Sequence, residues 1–153
     1  MRTYSIPKGK HSSKGLRILP RRPMSFAFKV TESFRHPDSA LGVSKIFGYA
    51  DGWHHHKNSF RVGVRYNPQD DNVAIYAYYY NDGKRRMEPI GACNFNELVV
   101  MKMVWTKELY ALEFNGRWIY FNREGCMRTY PLFPYYGGQA PAPRDVIIFL
   151  DTF

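Results

Sequence analysis

Alternation of apolar and polar residues is the feature of this sequence that most limits its fold. Successive side chains of a strand point to opposite faces, so a two-residue period indicates half-buried strands, and no segment sustains the helical period. Seven segments show the alternation clearly: 24–31, 58–66, 72–80, 98–105, 108–114, 117–121 and 145–151. Shorter candidates are RTYSI (2–6), GLRIL (15–19) and KIFGYA (45–50). The sequence therefore predicts an all-β protein of about ten strands.

The expected architecture is two antiparallel sheets packed face to face. Such a β-sandwich, of jelly-roll or concanavalin-like type, buries one face of every strand, and a closed barrel is the alternative. With 153 residues the chain is long enough to bury a core of its own. We therefore expect a single domain over residues 1–153.

Two turns predict the register of two hairpins. Asn115 and Gly116 in FNGR, and Asp82 and Gly83 in NDGK, are pairs that tolerate the positive φ of a type I′ turn. The predicted cross-strand pairs are Phe114 with Arg117, Leu112 with Ile119, Tyr110 with Phe121, Glu113 with Trp118, Ala111 with Tyr120, Tyr79 with Arg86 and Tyr80 with Arg85. Arginine thus comes to lie beside tyrosine in the second hairpin.

Positive charge is concentrated at the N-terminal end of the chain. Of a net charge of +9, residues 1–35 contribute nine Lys and Arg against one Glu, and the remainder is close to balanced. A basic N-terminal portion indicates an anionic partner, either nucleic acid or a phosphorylated small molecule. A solvated face that keeps the protein dissolved is the alternative.

The candidate site lies on one face of two neighbouring segments, 58–66 and 72–80. Their apolar residues point to the core, and the opposite face carries Arg61, Arg65, Tyr76, Tyr78 and Tyr80. Arginine supplies charge and forked donors for phosphate or carboxylate, while tyrosine rings offer stacking surfaces. We predict that Arg61 and Arg65 bind an anionic, ring-bearing ligand, of nucleotide or cyclic nucleotide type, that stacks on Tyr76 and Tyr78. An outer face without a ligand is the alternative, since both residue types favour strands.

The segment DGWHHHK (51–57) is the second candidate region. A strand that continued through it would separate His54 and His56 from Trp53, His55 and Lys57. Two histidines and the carboxylate of Asp51 fall short of a convincing zinc site, so we predict no metal. We predict instead that the ligand is contacted at the rim of its site by Trp53, His54, His55, His56 and Lys57. One histidine is expected to end the strand with its ring against Trp53.

The sequence lacks recognisable catalytic motifs. It has no Gly-x-Ser-x-Gly nucleophile turn and no glycine loop of the type that cradles phosphate. No two strand-borne carboxylates lie two residues apart on one face, as in sandwich glycosidases; these acids are Glu88, Glu108, Glu113, Asp145 and Asp151. We expect a non-enzymatic binding protein that needs no cofactor, although the residues leave catalysis open.

Cysteine content and hydropathy bear on the compartment. Cys93 and Cys126 are too few for a disulfide scaffold or a thiolate zinc site, and we expect both to be reduced core thiols. The N-terminal residues lack the apolar run of a signal peptide, and no segment approaches the roughly 18 apolar residues that span a bilayer. We expect a cytoplasmic protein without membrane contact.

Four segments carry a likeness to a known family: KIFGYADGWHHHKNSFRVGVRY, IYAYYYNDGKR, LEFNG and LFPYYGGQAPAPRDVIIFL. Over residues 1–153 the chain resembles a family of short bacterial and phage proteins with a concanavalin-like β-sandwich. The resemblance implies a fold, and its phage setting suggests an anti-defence role in which a nucleotide-type signal is sequestered.

The ending of the chain is also similar to that of some carbohydrate-active sandwiches. In those proteins a His precedes the Asp of the last strand, whereas Arg144 precedes Asp145 in this chain. This difference argues against transferring a sugar site. We expect structural roles, in a tight approach to the last strand, for Pro131, Pro134, Tyr135, Tyr136, Gly137 and Gly138.

Two other functions stay open. A glycan-binding, lectin-like module would use exposed aromatic residues such as Trp53 and Trp118. A single-stranded nucleic-acid-binding protein would use the basic residues of 1–35 and tyrosine platforms. The sequence makes no prediction of the oligomeric state.

Overall fold

The computed structural model describes residues 1–13, 24–123 and 128–153. The described residues form two short 3-10 helices, Glu32–Phe34 and Pro37–Ala40, and eleven strands. The strands are β1 (Arg2–Ile6), β2 (Met24–Val30), β3 (Ser44–Asp51), β4 (Ser59–Asn67), β5 (Asn72–Asn81), β6 (Lys84–Cys93), β7 (Val99–Trp105), β8 (Leu109–Phe114), β9 (Arg117–Asn122), β10 (Thr129–Leu132) and β11 (Val146–Thr152). In this part of the chain no helix is long and apolar enough to cross a membrane. The candidate strand GLRIL (15–19) and Cys126 lie outside the described residues.

The strands form two antiparallel sheets, which confirms the predicted all-β sandwich. One sheet has six strands in the order β1-β11-β2-β7-β8-β9, and the other has five in the order β10-β3-β4-β5-β6. Every pairing within these sheets is antiparallel. The inner faces of the two sheets share one large apolar cluster, as face-to-face packing requires.

The core is built from the apolar half of each alternating segment. In β4, for example, the residues Phe60, Val62 and Val64 are fully buried. Burying each such side chain contributes about 1.5–3 kcal/mol, so the period-two pattern becomes a large part of the folding free energy. Cys93 is a free, buried thiol of this core, and burial raises its pKa to about 12.

Both predicted hairpin turns are confirmed. Positive φ angles occur at Asp82 and Gly83 (47° and 77°) and at Asn115 and Gly116 (51° and 77°). The predicted registers also hold, with Tyr80 opposite Arg85, Tyr79 opposite Arg86, Phe114 opposite Arg117 and Tyr110 opposite Phe121. The turn residues therefore determine which side chains meet across each hairpin.

Two strands have no clear alternation in the sequence. β6 is largely exposed and contains Pro89, which is compatible with the edge position this strand occupies in the described sheet. β10 has only four residues, one of which is Pro131. Edge strands bury little apolar surface, so their sequences carry little period-two signal.

A buried ion pair connects the two sheets. Asp51, at the end of β3, accepts hydrogen bonds from Arg123 Nε at 2.8 Å and Nη2 at 2.7 Å. It also accepts one from the hydroxyl of Tyr110 on β8, which belongs to the opposite sheet. Burial and then the bond to Asp51 raise the pKa of Tyr110, so that hydroxyl stays protonated. Asp51 therefore has a structural role rather than that of the metal ligand weighed from the sequence.

We expect Asp51→Asn to lower the free energy of unfolding by about 3–5 kcal/mol, because it leaves the buried guanidinium of Arg123 without its counter-charge. Urea unfolding measures this loss. Asp82→Asn is the matched control, since it removes the same charge at an exposed turn and should change stability by less than about 0.5 kcal/mol. Equal effects of the two substitutions would show that the ion pair does not stabilise the fold.

Candidate functional site: a cationic cleft on the five-stranded sheet

The outer face of the five-stranded sheet brings together the arginines and tyrosines predicted from the sequence. β4 and β5 are neighbours, with Arg61 opposite Tyr78 and Gly63 opposite Tyr76. The predicted pairing of these two segments is therefore confirmed. Tyr76 and Tyr78 pack with Val43 in a small cluster that is separate from the main core.

Two tyrosine rings on this outer face, those of Tyr76 and Tyr78, are covered by arginines of the protein itself. The guanidinium carbon of Arg65 lies 5.2 Å from the centre of the Tyr76 ring, and that of Arg61 lies 5.4 Å from the Tyr78 ring. Arg65 Nη2 also donates to the Tyr76 hydroxyl at 2.7 Å. Tyr76 and Tyr78 are both buried. They support the arginines and are not the open stacking surfaces that the sequence analysis expected.

The side chain of Arg61 is almost completely buried. It is only 6% exposed, and it lies opposite Gly48 of β3, where a Cβ would be 2.8 Å from Arg61 Cγ and 2.0 Å from the carbonyl oxygen of Phe60. The missing side chain of Gly48 provides the room that Arg61 occupies. Its Nε is buried without a hydrogen-bond partner, and burial lowers its pKa. A buried guanidinium with an unsatisfied donor is electrostatically unfavourable.

Lys45 is a site residue that the sequence analysis did not single out. It lies on β3, is 6% exposed, and donates from Nζ to the carbonyl oxygen of Gly137 at 3.0 Å. The ammonium lies 4.8 Å from the ring centre of Tyr78 and 5.6 Å from that of Tyr135. Burial lowers the pKa of Lys45 to about 8, and the neighbouring charges of Arg61 and Arg85 add to this effect.

Lys45, Arg65 and Tyr78 line a cleft of about 640 Å³, whereas Arg61 and Tyr76 are not among its described lining residues. Its lining includes Lys45 from β3, Arg65 from β4, Arg85 and Arg86 from β6, and the segment 137–140. Among the residues that the structure describes, no ion pair with a carboxylate involves any of these four cations. The lining has one acid, Asp38, whose carboxylate is 3.8 Å from His36 Nδ1.

The PYYGG segment forms one wall of this cleft. Tyr135 exchanges backbone hydrogen bonds with Lys45 at 2.8 and 2.9 Å, and the amide of Gly137 donates to Ser44 Oγ at 2.7 Å. A Cβ on Gly42 would be 2.9 Å from the backbone nitrogen of Gly138. The close contacts of this segment are with β3 and Gly42.

The histidines lie in a loop, which corrects the expectation of a continuing strand. β3 ends at Asp51 and β4 begins at Ser59. Gly52, with a φ of 73°, turns the chain out of the strand, and Lys57 N closes a turn onto His54 O at 2.8 Å. The strand alternation used to sort the histidines therefore does not apply. Within the described part of the chain, no group of three or more His, Cys, Asp or Glu is placed to hold a metal.

Two of the histidines approach the cationic face. The rings of His55 and His56 are 4.1 Å apart, and that of His56 is 5.2 Å from the Tyr80 ring. Burial, followed by the charges of His56, Arg61 and Lys45, lowers the pKa of His55. His55 is thus within the electrostatic field of the cations on the sheet.

The described lining of the cleft includes none of the five predicted rim residues, Trp53, His54, His55, His56 and Lys57. Trp53 is 81% exposed and lies 4.9 Å from the ring of Tyr130 on β10, so Tyr130 takes the place predicted for a histidine. The side chains of His54 and Lys57 are exposed, and the backbone carbonyl of Lys57 accepts from Gly83 N at 2.9 Å. Lys45 and Arg85 line the cleft. The sequence predicted the strand that contains Lys45 and the turn that precedes Arg85, but it assigned neither residue to the site.

The comparisons with known proteins find matches among solved structures but none among protein families or curated sequences. The structure is similar to Danio rerio galectin-1-L2, with a TM-score of 0.42, 12% identity, and coverage of 97% of this chain and 87% of the galectin. It is also similar to toad ovary galectin in complex with thio-digalactose, with a TM-score of 0.42, 10% identity, and coverage of 99% and 98%. Likeness at this level transfers no ligand, so the function is argued from this chain's own residues.

We expect Lys45→Met to stabilise the protein at pH 7. Keeping the buried ammonium charged costs the folded wild type about 3 kcal/mol. The substitution removes this cost but also removes the hydrogen bond to Gly137, which contributes about 1 kcal/mol. A folded-state pKa near 8, below the ordinary 10.5, means that wild-type stability relative to the variant rises with pH between those values. Urea unfolding should therefore show an advantage of about 2 kcal/mol at pH 7 that vanishes near pH 9.5.

The exposed-site variant Lys107→Met is the control for that measurement. Its stability difference from the wild type should stay constant over the same pH range. If the stability difference between Lys45→Met and the wild type also stays constant with pH, the electrostatic description of the cleft is contradicted.

Proposed function

We propose that this protein binds an anionic, ring-bearing small molecule in the cationic cleft. The observation that carries the proposal is the grouping of Lys45, Arg61, Arg65 and Arg85 without a carboxylate partner among the described residues. Burial is the main cause of the low pKa of Lys45, and the charges of Arg61 and Arg85 lower it further, so like charges at close range add to the free energy of the folded protein. A bound anion would remove that repulsion.

The cleft suits a ligand of nucleotide size. Its volume of about 640 Å³ lies within the range of about 300–1,000 Å³ that is typical of small-molecule sites. Arg65, Arg85 and Arg86 offer forked donors that match phosphate oxygens. The apolar side chains of Val43 and Met87 lie in the same lining and can contact a flat ring. A nucleotide supplies both the anion and the ring.

The finer assignment is a nucleotide or cyclic nucleotide signal that the protein sequesters. Binding without turnover is supported by the chemistry of the cleft, whose described lining has several cations but a single carboxylate and no cysteine. In this arrangement Tyr76 holds Arg65, and the ring of Tyr78 lies against both Lys45 and Arg61. A phage anti-defence role extends the proposal through the family resemblance alone.

A second candidate function, glycan binding, is favoured by a different surface. Trp118 and Tyr120 project from the same face of β9, are 39% and 62% exposed, and have rings 6.4 Å apart and within 19° of parallel. They border a groove of about 260 Å³ that also includes Trp105 and Leu109. Sugar rings stack on aromatic faces of this type, which supports a neutral oligosaccharide as its ligand.

Nucleic-acid binding through the first 35 residues has less support. Four of the nine basic residues there, Lys14, Arg17, Arg21 and Arg22, lie outside the described residues. Of the others, Arg35 pairs with Glu32 at 2.7 Å and Asp71 at 3.0 Å. Its charge is already neutralised by the protein.

The double variant Arg65→Gln/Arg85→Gln should weaken nucleotide binding at least about a hundredfold, because each lost charge-assisted bond contributes about 1.5–3 kcal/mol. Melting-temperature shifts with mono-, di- and cyclic nucleotides identify a ligand, and calorimetry gives the Kd. Lys107→Gln/Arg117→Gln removes the same charge away from the cleft and should leave the Kd within about twofold.

Salt dependence checks the same proposal independently. Wild-type affinity should fall as sodium chloride rises from about 0.1 to 0.5 M, because salt competes with a charged ligand. A wild type that binds no nucleotide or other anion, or a cleft variant that binds as tightly as the wild type, would contradict the proposed site.

The glycan candidate predicts that Trp118→Ala/Tyr120→Ala lowers affinity for a neutral oligosaccharide at least about tenfold, since the stacking surface is removed. A glycan array followed by calorimetry measures the effect, which should be insensitive to salt. Trp53→Ala, an exposed aromatic residue elsewhere, is the control and should bind like the wild type. The absence of any bound sugar on the array would eliminate this candidate.

A further inference from the structure

Lys45 differs from the other cations of the cleft because its side chain can act as a nucleophile. An amine reacts only when it is deprotonated, and a guanidinium stays protonated in proteins. Lys45 lines the cleft, and its Nζ is held 3.0 Å from Gly137 O, 4.8 Å from the ring centre of Tyr78 and 5.6 Å from that of Tyr135. These contacts fix the position of the amine in the residue that lines the cleft beside Arg65 and Arg85.

The surroundings of Lys45 favour its neutral form. Burial and the charges of Arg61 and Arg85 lower its pKa to about 8, so a large fraction of the amine is neutral near that pH. Lysines in desolvated or cationic sites are the ones that form imines with carbonyl compounds. An anion bound to Arg85 would remove the effect of that charge on Lys45, but burial, which is the main cause of the low pKa of Lys45, would remain.

We infer that Lys45 is the reactive amine of the cleft and forms an imine with an anionic aldehyde whose phosphate is bound by Arg65 and Arg85. This inference rests on the proposed function for the anionic part of the ligand and adds a covalent step to it. The ligand class is therefore a small aldehyde that carries a phosphate group.

The step needs no oxidant or reductant. The lone pair of neutral Nζ attacks the aldehyde carbon, a C–N bond forms as the π bond of the carbonyl breaks, and one proton passes from the nitrogen to the carbonyl oxygen. The resulting carbinolamine loses water as a C=N bond replaces the C–O bond, and the nitrogen releases its second proton. Amine and aldehyde thus give imine and water, and hydrolysis reverses the step.

The experiment uses pyridoxal 5′-phosphate as the probe aldehyde at pH 8, with borohydride to reduce the imine to a stable secondary amine. Peptide mass spectrometry then locates the label among the nine lysines of the chain. We expect Lys45 to be labelled about tenfold faster than exposed lysines, since far more of it is neutral at this pH. Lys45→Arg, which keeps the charge, should lose this fast labelling, and the control Lys84→Arg should retain it.

Two analogues separate this inference from the proposed function. Pyridoxine 5′-phosphate has the phosphate but no aldehyde, so it should raise the melting temperature and protect Lys45 from labelling. Pyridoxal has the aldehyde but no phosphate and should label Lys45 at least about fivefold more slowly. A melting shift without preferential labelling of Lys45 would overturn the inference and leave the anion site standing. No shift and no preferential labelling would overturn both, and equal labelling by pyridoxal would overturn the assigned ligand class.

Discussion

The pleat of β4 and β5 is the constraint on which both the core and the cleft depend. Phe60, Val62 and Val64 are fully buried between the sheets, so the residues between them must point to the outer face. A slip of one residue would exchange the two sets and bury charge in the core. The free energy of core packing therefore also holds Arg61 in register with Tyr78. Any function of the cationic face relies on an orientation that is determined on the opposite side of the same strands.

The ion pair of Asp51 and Arg123 adds a second constraint. Asp51 is the last residue of β3, and its side chain is bonded to Tyr110 and Arg123, so the end of this strand is anchored to the other sheet. Gly52 then turns the chain out of the strand, and the loop leads His56 to the ring of Tyr80. A buried pair of this type costs desolvation, which its three hydrogen bonds from Arg123 and Tyr110 offset.

Local patterns account for what could be predicted, and contacts between distant residues for what could not. Period-two alternation and two type I′ turns were sufficient for the sandwich and for the registers around Tyr80 and Phe114. They also placed Arg61 beside Tyr78. Lys45 reads as an ordinary polar residue at the start of KIFGYA, because its burial depends on Gly137 and Tyr135, about ninety residues away in the chain. The histidine loop was misjudged for a local reason, since Gly52 takes a positive φ directly after Asp51 and turns the chain out of the strand.

Among the described residues, two sets of cations have different partners. Arg35 and Arg123 are paired with carboxylates, so their charge is neutralised within the fold. Lys45, Arg61 and Arg65 are held instead by a carbonyl oxygen and by tyrosine rings. Such neutral partners fix the position of a cation without cancelling its charge. The repulsion that remains lowers the stability of the folded protein. Under the proposed function a bound anion would relieve it, so the arrangement that lowers stability would also favour binding.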